Sequence, residues 1–196
     1  GFSDASADVR EAILGEAAKL SEEVLQPLNR IGDLEGCKRN DDGSVTTPKG
    51  FKDAFKQVTE GGWLGLSAPV EYGGQGLPTM MSVAVSEMWN SGTLAFAIAP
   101  TLTMGAVEAL EKHASKELKD IYLEKLVSGE WMGTMNLTEP HCGTDLAALR
   151  SRAAPAGDGT YRIFGPKIFI TYCQPHFPQK ILHLVLAAVP GAPAAT

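Results

Sequence analysis

The sequence predicts an α+β fold: an all-helical N-terminal domain of residues 1–130, followed by an incomplete β-barrel or sheet domain of residues 131–196. Three observations support this prediction. Before residue 130, apolar residues recur at steps of three or four, which is the period of one helix face. After Trp131 the apolar residues alternate or form short β-rich runs. The run Gly157-Asp158-Gly159-Thr160 then has the composition of a hairpin turn.

Helix starts and ends in the first domain follow from capping residues, prolines and glycines. Thr47-Pro48 and Ser115 are predicted to open helices, Gly61-Gly62 to close one, and Pro27 to weaken another near its end. Asn29–Ser44 is predicted to be a loop, and Trp63–Gly76 is predicted to be a long ordered loop or a stop between helices. The predicted helices span residues 8–28, 48–60, 78–89, 99–112 and 115–129.

The second domain begins with the stretch Trp131–Asp145. In an extended chain Met135, Leu137 and Glu139 share one side, and Pro140 cannot continue a ladder. Gly143 would let the backbone turn with free N–H groups beside the Thr144 hydroxyl, which suits an anionic or polar cofactor group. On the local pattern alone, a strand followed by an ordinary surface turn is the favoured interpretation. Further strands are predicted at 150–154, 161–164, 167–171 and 181–189, and residues 190–196 look like a loop leading into more strands.

Composition narrows the classes of partner. The net charge of −6 and the pI of about 5.2 argue against a broad nucleic-acid surface and favour small molecules or proteins. Three cysteines without Cys-x-x-Cys spacing favour a reducing compartment, and we expect a cytoplasmic protein. The acidic N-terminus does not resemble a signal peptide, and no apolar run is expected to reach the ~18 residues of a membrane span.

Common catalytic and binding motifs are excluded by spacing. Gly73-Gly74-Gln75-Gly76 follows no predicted strand and lacks the third glycine of a dinucleotide-binding turn. Ser67 is followed by Ala68-Pro69, which does not form a nucleophile elbow. The four histidines have no metal-ligand spacing with one another or with the cysteines. The neighbours His141 and Cys142 would point apart in an extended chain, so we expect neither a nucleophile nor a metal site.

Several segments together resemble the flavin-dependent acyl-CoA dehydrogenase family. The resemblance is specific at Leu137-Thr138-Glu139-Pro140-His141-Cys142-Gly143-Thr144-Asp145 and extends over nearly the whole chain. The 3-methylmercaptopropionyl-CoA dehydrogenase branch is the most similar in local sequence. This similarity is found around Met135-Asn136, Ile170-Thr171-Tyr172 and His183-Leu184-Val185. Other matching segments, in family order, are Gly62-Trp63-Leu64-Gly65-Leu66, residues 69–76, residues 122–130, Gly159–Lys167 and Phe169-Ile170-Thr171.

The resemblance implies a cofactor, FAD, and residues that hold it. Met135, Leu137 and Thr138 would bind the pyrimidine edge of the flavin, and Gly143 and Thr144 would lie near the pyrophosphate. Thr144 would also lie near the start of the CoA chain of the substrate. Phe169 would pack on the flavin, next to Ile170, and Thr171 would hydrogen-bond flavin N5, where a donor stabilises the charge that develops on reduction.

The same resemblance implies that the catalytic base, a Glu, belongs to a C-terminal helical domain that this chain does not contain. No catalytic residue is therefore expected among these residues, and Glu139 is expected to be structural, bonding neighbouring backbone. Cys142 and Asn136 depart from the usual family residues. Residues 173–178 do not look like the expected loop, which leaves the geometry after Thr171 open.

The function implied is dehydrogenation of an acyl-CoA thioester between its α and β carbons, possibly of 3-methylmercaptopropionyl-CoA, in fatty acid metabolism. An electron-transfer flavoprotein would accept the electrons, and the whole protein would be a homodimer or homotetramer without nucleic-acid or membrane partners. Two alternatives remain open at this point. One is a flavin monooxygenase or DNA-repair-associated homologue of the same fold, and the other is a cofactor-free structural or interaction module.

Overall fold

The computed structural model of the chain describes residues 5–191, which form two compact units. The helical unit holds the chain up to Gly133 together with Gln174–Leu182, and the β unit holds Thr134–Cys173 and the chain from His183 onward. The first division lies three residues after the predicted boundary at 130/131. The chain therefore passes between the units three times, at 133/134, 173/174 and 182/183.

Within residues 5–191 the helical unit contains five α-helices. They are α1 (Ala7–Leu20), α2 (Gln26–Glu35), α3 (Phe51–Glu60), α4 (Thr79–His113) and α5 (Lys116–Val127). A π-turn, Ser21–Leu25, joins α1 to α2, and the Gln26 N–H donates to the Ser21 carbonyl. Pro27 thus lies in the first turn of α2, where its missing N–H is tolerated. The loop predicted to begin at Asn29 begins only after Glu35, because residues 29–35 belong to α2.

The two helices predicted at 78–89 and 99–112 are both present and meet at a kink within α4. Helical backbone continues through the expected gap, and the break is confined to Thr93, with φ −157° and ψ 99°. Val85, Trp89 and Phe96 are buried, and α4 contacts α1, α2 and α5, so it is the central helix of this unit. An 18-residue stretch of α4 has a mean hydropathy of 1.5, so by length and composition this helix could also cross a membrane, contrary to the sequence expectation. Core helices can be equally long and apolar, and 44% of that stretch is buried.

α3 begins at Phe51, after a left-handed Gly50, and not at the predicted Thr47-Pro48. The Thr47 N–H instead donates to His176 Nδ1 at 3.3 Å, so this residue serves a contact distant in sequence. Phe51, Phe55 and Val58 are buried as predicted, and Gly61 ends the helix. The predicted Ser115 cap of α5 is confirmed, because its Oγ accepts from the Leu118 N–H.

Residues 174–182 complete the helical unit. The ring of Phe177 lies 4.7 Å from that of Phe55, measured between centroids, and the Gln179 N–H donates to the Glu130 carbonyl at 3.1 Å. Gly133 packs against α4 so closely that a Cβ there would lie 2.4 Å from the Cβ of Ala106. Glycine is therefore required where the chain leaves the helical unit.

The described strands form three two-stranded sheets rather than a barrel. β1 (Lys38–Arg39) pairs with β2 (Val45–Thr46), so the first half is not purely helical. β3 (Trp131–Asn136) pairs with β6 (Lys180–Val185). β4 (Arg152–Pro155) and β5 (Tyr161–Phe164) form the predicted antiparallel hairpin, with Ala153 opposite Ile163.

Two strand predictions are wrong. Residues 167–171 contain no strand, because Phe169 has a left-handed backbone conformation. The run predicted as a buried strand at 181–189 is a strand only to Val185, and its residues are mostly half-buried. Beyond it the Leu186 N–H donates to Asn136, and Ala188 bridges Arg152 in parallel, so the run divides between two partners. Residues 192–196 of the predicted terminal loop lie outside the described residues.

Candidate functional site

A tight turn follows β3 in the β unit. The chain closes on itself through two backbone hydrogen bonds, from Glu139 N to Cys142 O at 2.8 Å and from Cys142 N to Glu139 O at 3.2 Å. Pro140 occupies the tip, where no ladder bond is needed. The expectation that His141 and Cys142 point apart in an extended chain is wrong, because these residues turn and are not extended.

The carboxylate of Glu139 anchors this turn from inside. Its Oε2 accepts the Arg150 N–H at 2.8 Å, and its Oε1 accepts the Ser151 N–H at 3.0 Å and the Lys167 ammonium at 2.9 Å. The Lys167 ammonium, followed by the backbone N–H groups, holds the pKa of Glu139 well below its usual range although burial opposes this. A buried carboxylate that stays ionised and accepts these hydrogen bonds is unsuited to removing a substrate proton. The predicted bonding of Glu139 to neighbouring backbone is confirmed.

Sequence spacing missed one grouping of possible metal ligands. Donor atoms of Glu139, His141 and Cys142 lie within 4.8 Å of one another. The Lys167 ammonium already compensates the Glu139 charge, however, and would repel a cation bound beside it. His141 Nε2 lies 2.8 Å from the Ala148 carbonyl, which fits a donating N–H rather than a free ligand nitrogen. The chemistry of these groups therefore favours a structural turn.

Gly143 and Thr144 lie on the outer part of the same turn. Gly143 has no positive φ, and a Cβ there would lie 3.4 Å from Cγ2 and 3.5 Å from Oγ1 of Thr138, close to ordinary contact. The turn itself therefore does not require glycine, contrary to the sequence interpretation. Thr144 is exposed, and burial raises the pKa of the Cys142 thiol, which remains protonated and is a poor nucleophile.

A second segment, residues 167–171, lies beside the end of β3. The Ile168 N–H donates to the Thr138 carbonyl at 2.9 Å, and the Lys167 ammonium donates to the Leu137 carbonyl at 2.8 Å. At the far end, the buried Thr134 hydroxyl donates to the Thr171 carbonyl at 2.7 Å. These contacts bring together the two groups of residues that the sequence assigned to one site.

Phe169 explains why this segment is not the predicted strand. Its φ is 56°, a left-handed conformation that interrupts a strand, and Tyr172 follows with φ 50°. The Phe169 side chain is 88% exposed, so its ring lies on the surface with little packing of its own. A strained backbone that displays an exposed aromatic ring is typical of a ligand-binding position.

The predicted cofactor residues all lie in the β unit, and half of them are exposed. Met135, Thr144, Phe169 and Thr171 are exposed, and Leu137, Thr138, Gly143 and Ile170 are half-buried. The positioning residues Thr134 and Lys167 were missed. A buried threonine within a strand, which needs a hydrogen-bond partner, was the available signal for Thr134.

The chain is similar to several known proteins. The family model described as "Acyl-CoA dehydrogenase, N-terminal domain" matches residues 9–130. A 3-methylmercaptopropionyl-CoA dehydrogenase from Ruegeria pomeroyi is 45% identical over 192 residues, which are 98% of this chain and 32% of that protein. A butyryl-CoA dehydrogenase from Syntrophomonas wolfei is 36% identical over 95% of this chain and 31% of its own length.

A solved structure supports the same relationship. The crystal structure of an acyl-CoA dehydrogenase complexed with FAD from Bacillus anthracis is 26% identical, has a TM-score of 0.73, and matches 96% of this chain and 30% of its own. The chain spans about a third of the length of the curated relatives it matches. Because the family model covers more than half of the chain, the chain belongs to the acyl-CoA dehydrogenase family.

Proposed function

We propose that the whole protein is an FAD-dependent acyl-CoA dehydrogenase and that the β unit of this chain holds part of its flavin site. The observation that carries this proposal is the pairing of residues 137–138 with residues 167–168, next to the exposed ring of Phe169. The relative that is 45% identical and the neighbour complexed with FAD support the assignment.

The residues present fit a flavin. A flavin has a flat apolar ring system, a pyrimidine edge with both donors and acceptors, and a distant pyrophosphate. The exposed Phe169 offers an aromatic face, and Thr138 and Thr171 offer hydroxyl groups near the same backbone junction. Near Gly143 the chain comes close to Thr138, and the exposed Thr144 hydroxyl suits a phosphate oxygen.

In the proposed mechanism these residues bind and orient. Bound FAD would supply the acceptor for a hydride from the β carbon of the acyl group. The backbone groups of Met135 and Leu137 and the Thr138 hydroxyl would hold the pyrimidine edge. The Thr171 hydroxyl would donate to the nitrogen at which the hydride arrives, where the hydrogen bond strengthens as negative charge develops.

Other parts of the reaction would use groups outside these residues. We propose a base supplied by the remaining two thirds of the protein, since Glu139 is committed to Lys167 and backbone N–H groups. The substrate class would be acyl-CoA thioesters, with 3-methylmercaptopropionyl-CoA as the first compound to test. An electron-transfer flavoprotein as acceptor, a homo-oligomer and a reducing, cytoplasmic location complete the proposal.

The test uses the full-length protein under anaerobic conditions. Its flavin absorbance should bleach when 3-methylmercaptopropionyl-CoA or butyryl-CoA is added. Thr171→Ala should slow bleaching by about 10-fold or more, the value of one charge-assisted hydrogen bond, with little change in substrate affinity. Thr171→Ser should retain most of the rate, because it keeps the hydroxyl.

Thr160→Ala is a matched control, since the Thr160 hydroxyl bonds only its own hairpin turn at Asp158. This variant should reduce its flavin at the parent rate. Purified full-length protein that carries no flavin, or a flavin that no acyl-CoA bleaches, would refute the proposed function.

A further inference from the structure

Lys167 links its own segment to residues 137–139 through its side chain. Its side chain is 8% exposed, and its ammonium donates to the Leu137 carbonyl at 2.8 Å and to Glu139 Oε1 at 2.9 Å. The Glu139 side chain is fully buried. Such a pair adds little stability compared with apolar residues of similar volume, although loss of one partner is costly, and its directed hydrogen bonds favour one arrangement.

Two backbone N–H groups hold the Glu139 carboxylate of this ion pair in place. Glu139 also accepts the N–H groups of Arg150 and Ser151, so the carboxylate cannot swing away from Lys167 without leaving two donors unpaired. The position of the ammonium therefore fixes the Leu137 carbonyl. The next residue, Ile168, is fixed at the same time by its bond to Thr138.

The strained loop depends on these anchors. Phe169 is left-handed, and such a conformation persists only where its surroundings determine it. Its exposed ring supplies little packing, so the constraints come from the neighbouring bonds. Lys167 and Ile168 are tied immediately before it, and the Thr171 carbonyl is tied to the Thr134 hydroxyl immediately after it.

We propose that Lys167 and Glu139 form a positioning clamp that sets the spacing between residues 135–138 and residues 168–171, and thereby tunes FAD affinity and the flavin reduction potential. The clamp touches neither substrate nor the reacting atoms. It acts through the Leu137 carbonyl and through the backbone that carries Phe169 and Thr171. The inference rests on the proposed function in one respect only, that FAD is the ligand of this site.

The test compares four full-length variants with the parent. Lys167→Met removes the ammonium, Lys167→Arg keeps a cation, and Lys167→Met combined with Glu139→Gln removes both charges. Arg162→Met is the control, because Arg162 is an exposed cation of the same unit on β5. Three quantities are measured: the FAD dissociation constant, the flavin midpoint potential, and the amide exchange rate of Ile168 in the apoprotein.

Lys167→Met should raise the FAD dissociation constant about 10-fold or more, which corresponds to one lost charge-assisted hydrogen bond. It should shift the midpoint potential and speed exchange at Ile168, while Arg162→Met matches the parent in all three. Lys167→Arg should recover part of each change. If Lys167→Met does not fold, the double variant decides, because it contains no uncompensated buried charge, and it should show the same losses.

Two results would overturn the clamp. One is Lys167→Met with the affinity, potential and Ile168 exchange of the parent. The other is full recovery of all three in the double variant, which would show that only an unpaired charge had been harmful. A parent protein that binds no FAD would instead refute the proposed function, so the two failures are distinguishable.

Discussion

Replacing Phe169 with glycine should separate the stability of the protein from its affinity for FAD. The ring is 88% exposed, so its removal forfeits little buried apolar area. A left-handed conformation costs an L residue about 1–2 kcal/mol, which glycine does not incur. The greater freedom of glycine in the unfolded chain costs about 0.5–1 kcal/mol. The difference predicts that Phe169→Gly stabilises the apoprotein by about 0–1.5 kcal/mol.

The affinity of Phe169→Gly for FAD should fall, although its stability rises. An aromatic ring packed on another contributes about 0.5–1.5 kcal/mol beyond its buried area, which is about 2–12-fold in a dissociation constant. Phe169→Ala is the matched control, because it removes the same ring and keeps a side chain in the left-handed conformation. It should lose the same affinity without gaining stability.

Urea unfolding of the full-length apoprotein, followed by far-UV circular dichroism, measures the first effect, and titration with FAD measures the second. A Phe169→Gly variant less stable than the parent by about 1 kcal/mol or more would contradict the strain estimate. Unchanged FAD affinity in both variants would show that the ring does not contact the flavin.

Five further outcomes are expected. Gly133→Ala should destabilise the protein by about 1–3 kcal/mol in urea unfolding, since the new Cβ would lie 2.4 Å from that of Ala106. Gly15→Ala, in helix α1 with open space around it, should stabilise by up to about 1 kcal/mol. Because the folded pKa of Glu139 is depressed, its contribution to stability is present above the unfolded value of about 4.3 and is lost as pH falls toward the folded value. Urea unfolding at a series of acidic pH values should show that loss, and Glu139→Gln should weaken the dependence. Cys142→Ala should leave the ratio of flavin to protein absorbance nearly unchanged; loss of FAD with folding retained would give the side chain a larger role. Residues 1–196 alone should reduce no dye with any acyl-CoA and added FAD, and turnover would place the base within them.

Local signals predicted the elements that local interactions determine. Ser115 caps α5, and the Gly157–Thr160 turn closes the β4–β5 hairpin, because each depends on a few neighbouring residues. The errors occur where distant contacts override local preference. Thr47, for example, contacts His176 instead of capping a helix. Pro27 is a different case, because the π-turn Ser21–Leu25 that precedes it is local.

In the candidate site, too, local features were predicted and features that depend on distant contacts were missed. The turn after β3 was predicted from Pro140 and Gly143, and the proposed flavin contacts of residues 169–171 were predicted from sequence resemblance. The strand predicted at 167–171 failed because Phe169 is left-handed, which β propensity cannot reveal. Lys167 and Thr134 were missed because their partners lie about 30 and 37 residues away along the chain, and only the folded structure brings them together.

The division of the helical unit into two stretches of sequence has a consequence during synthesis. The α3 surface at Phe55 receives Phe177 only after the intervening 40 residues, 134–173, have been made. Between Gly133 and Leu182 the ribosome must add 49 residues, which takes about 2–10 seconds at ~5–20 residues per second. During that interval the nascent helical unit lacks Phe177, whose ring packs against Phe55. The segment 174–182 is therefore the last part of the helical unit to be synthesised, several seconds after α5.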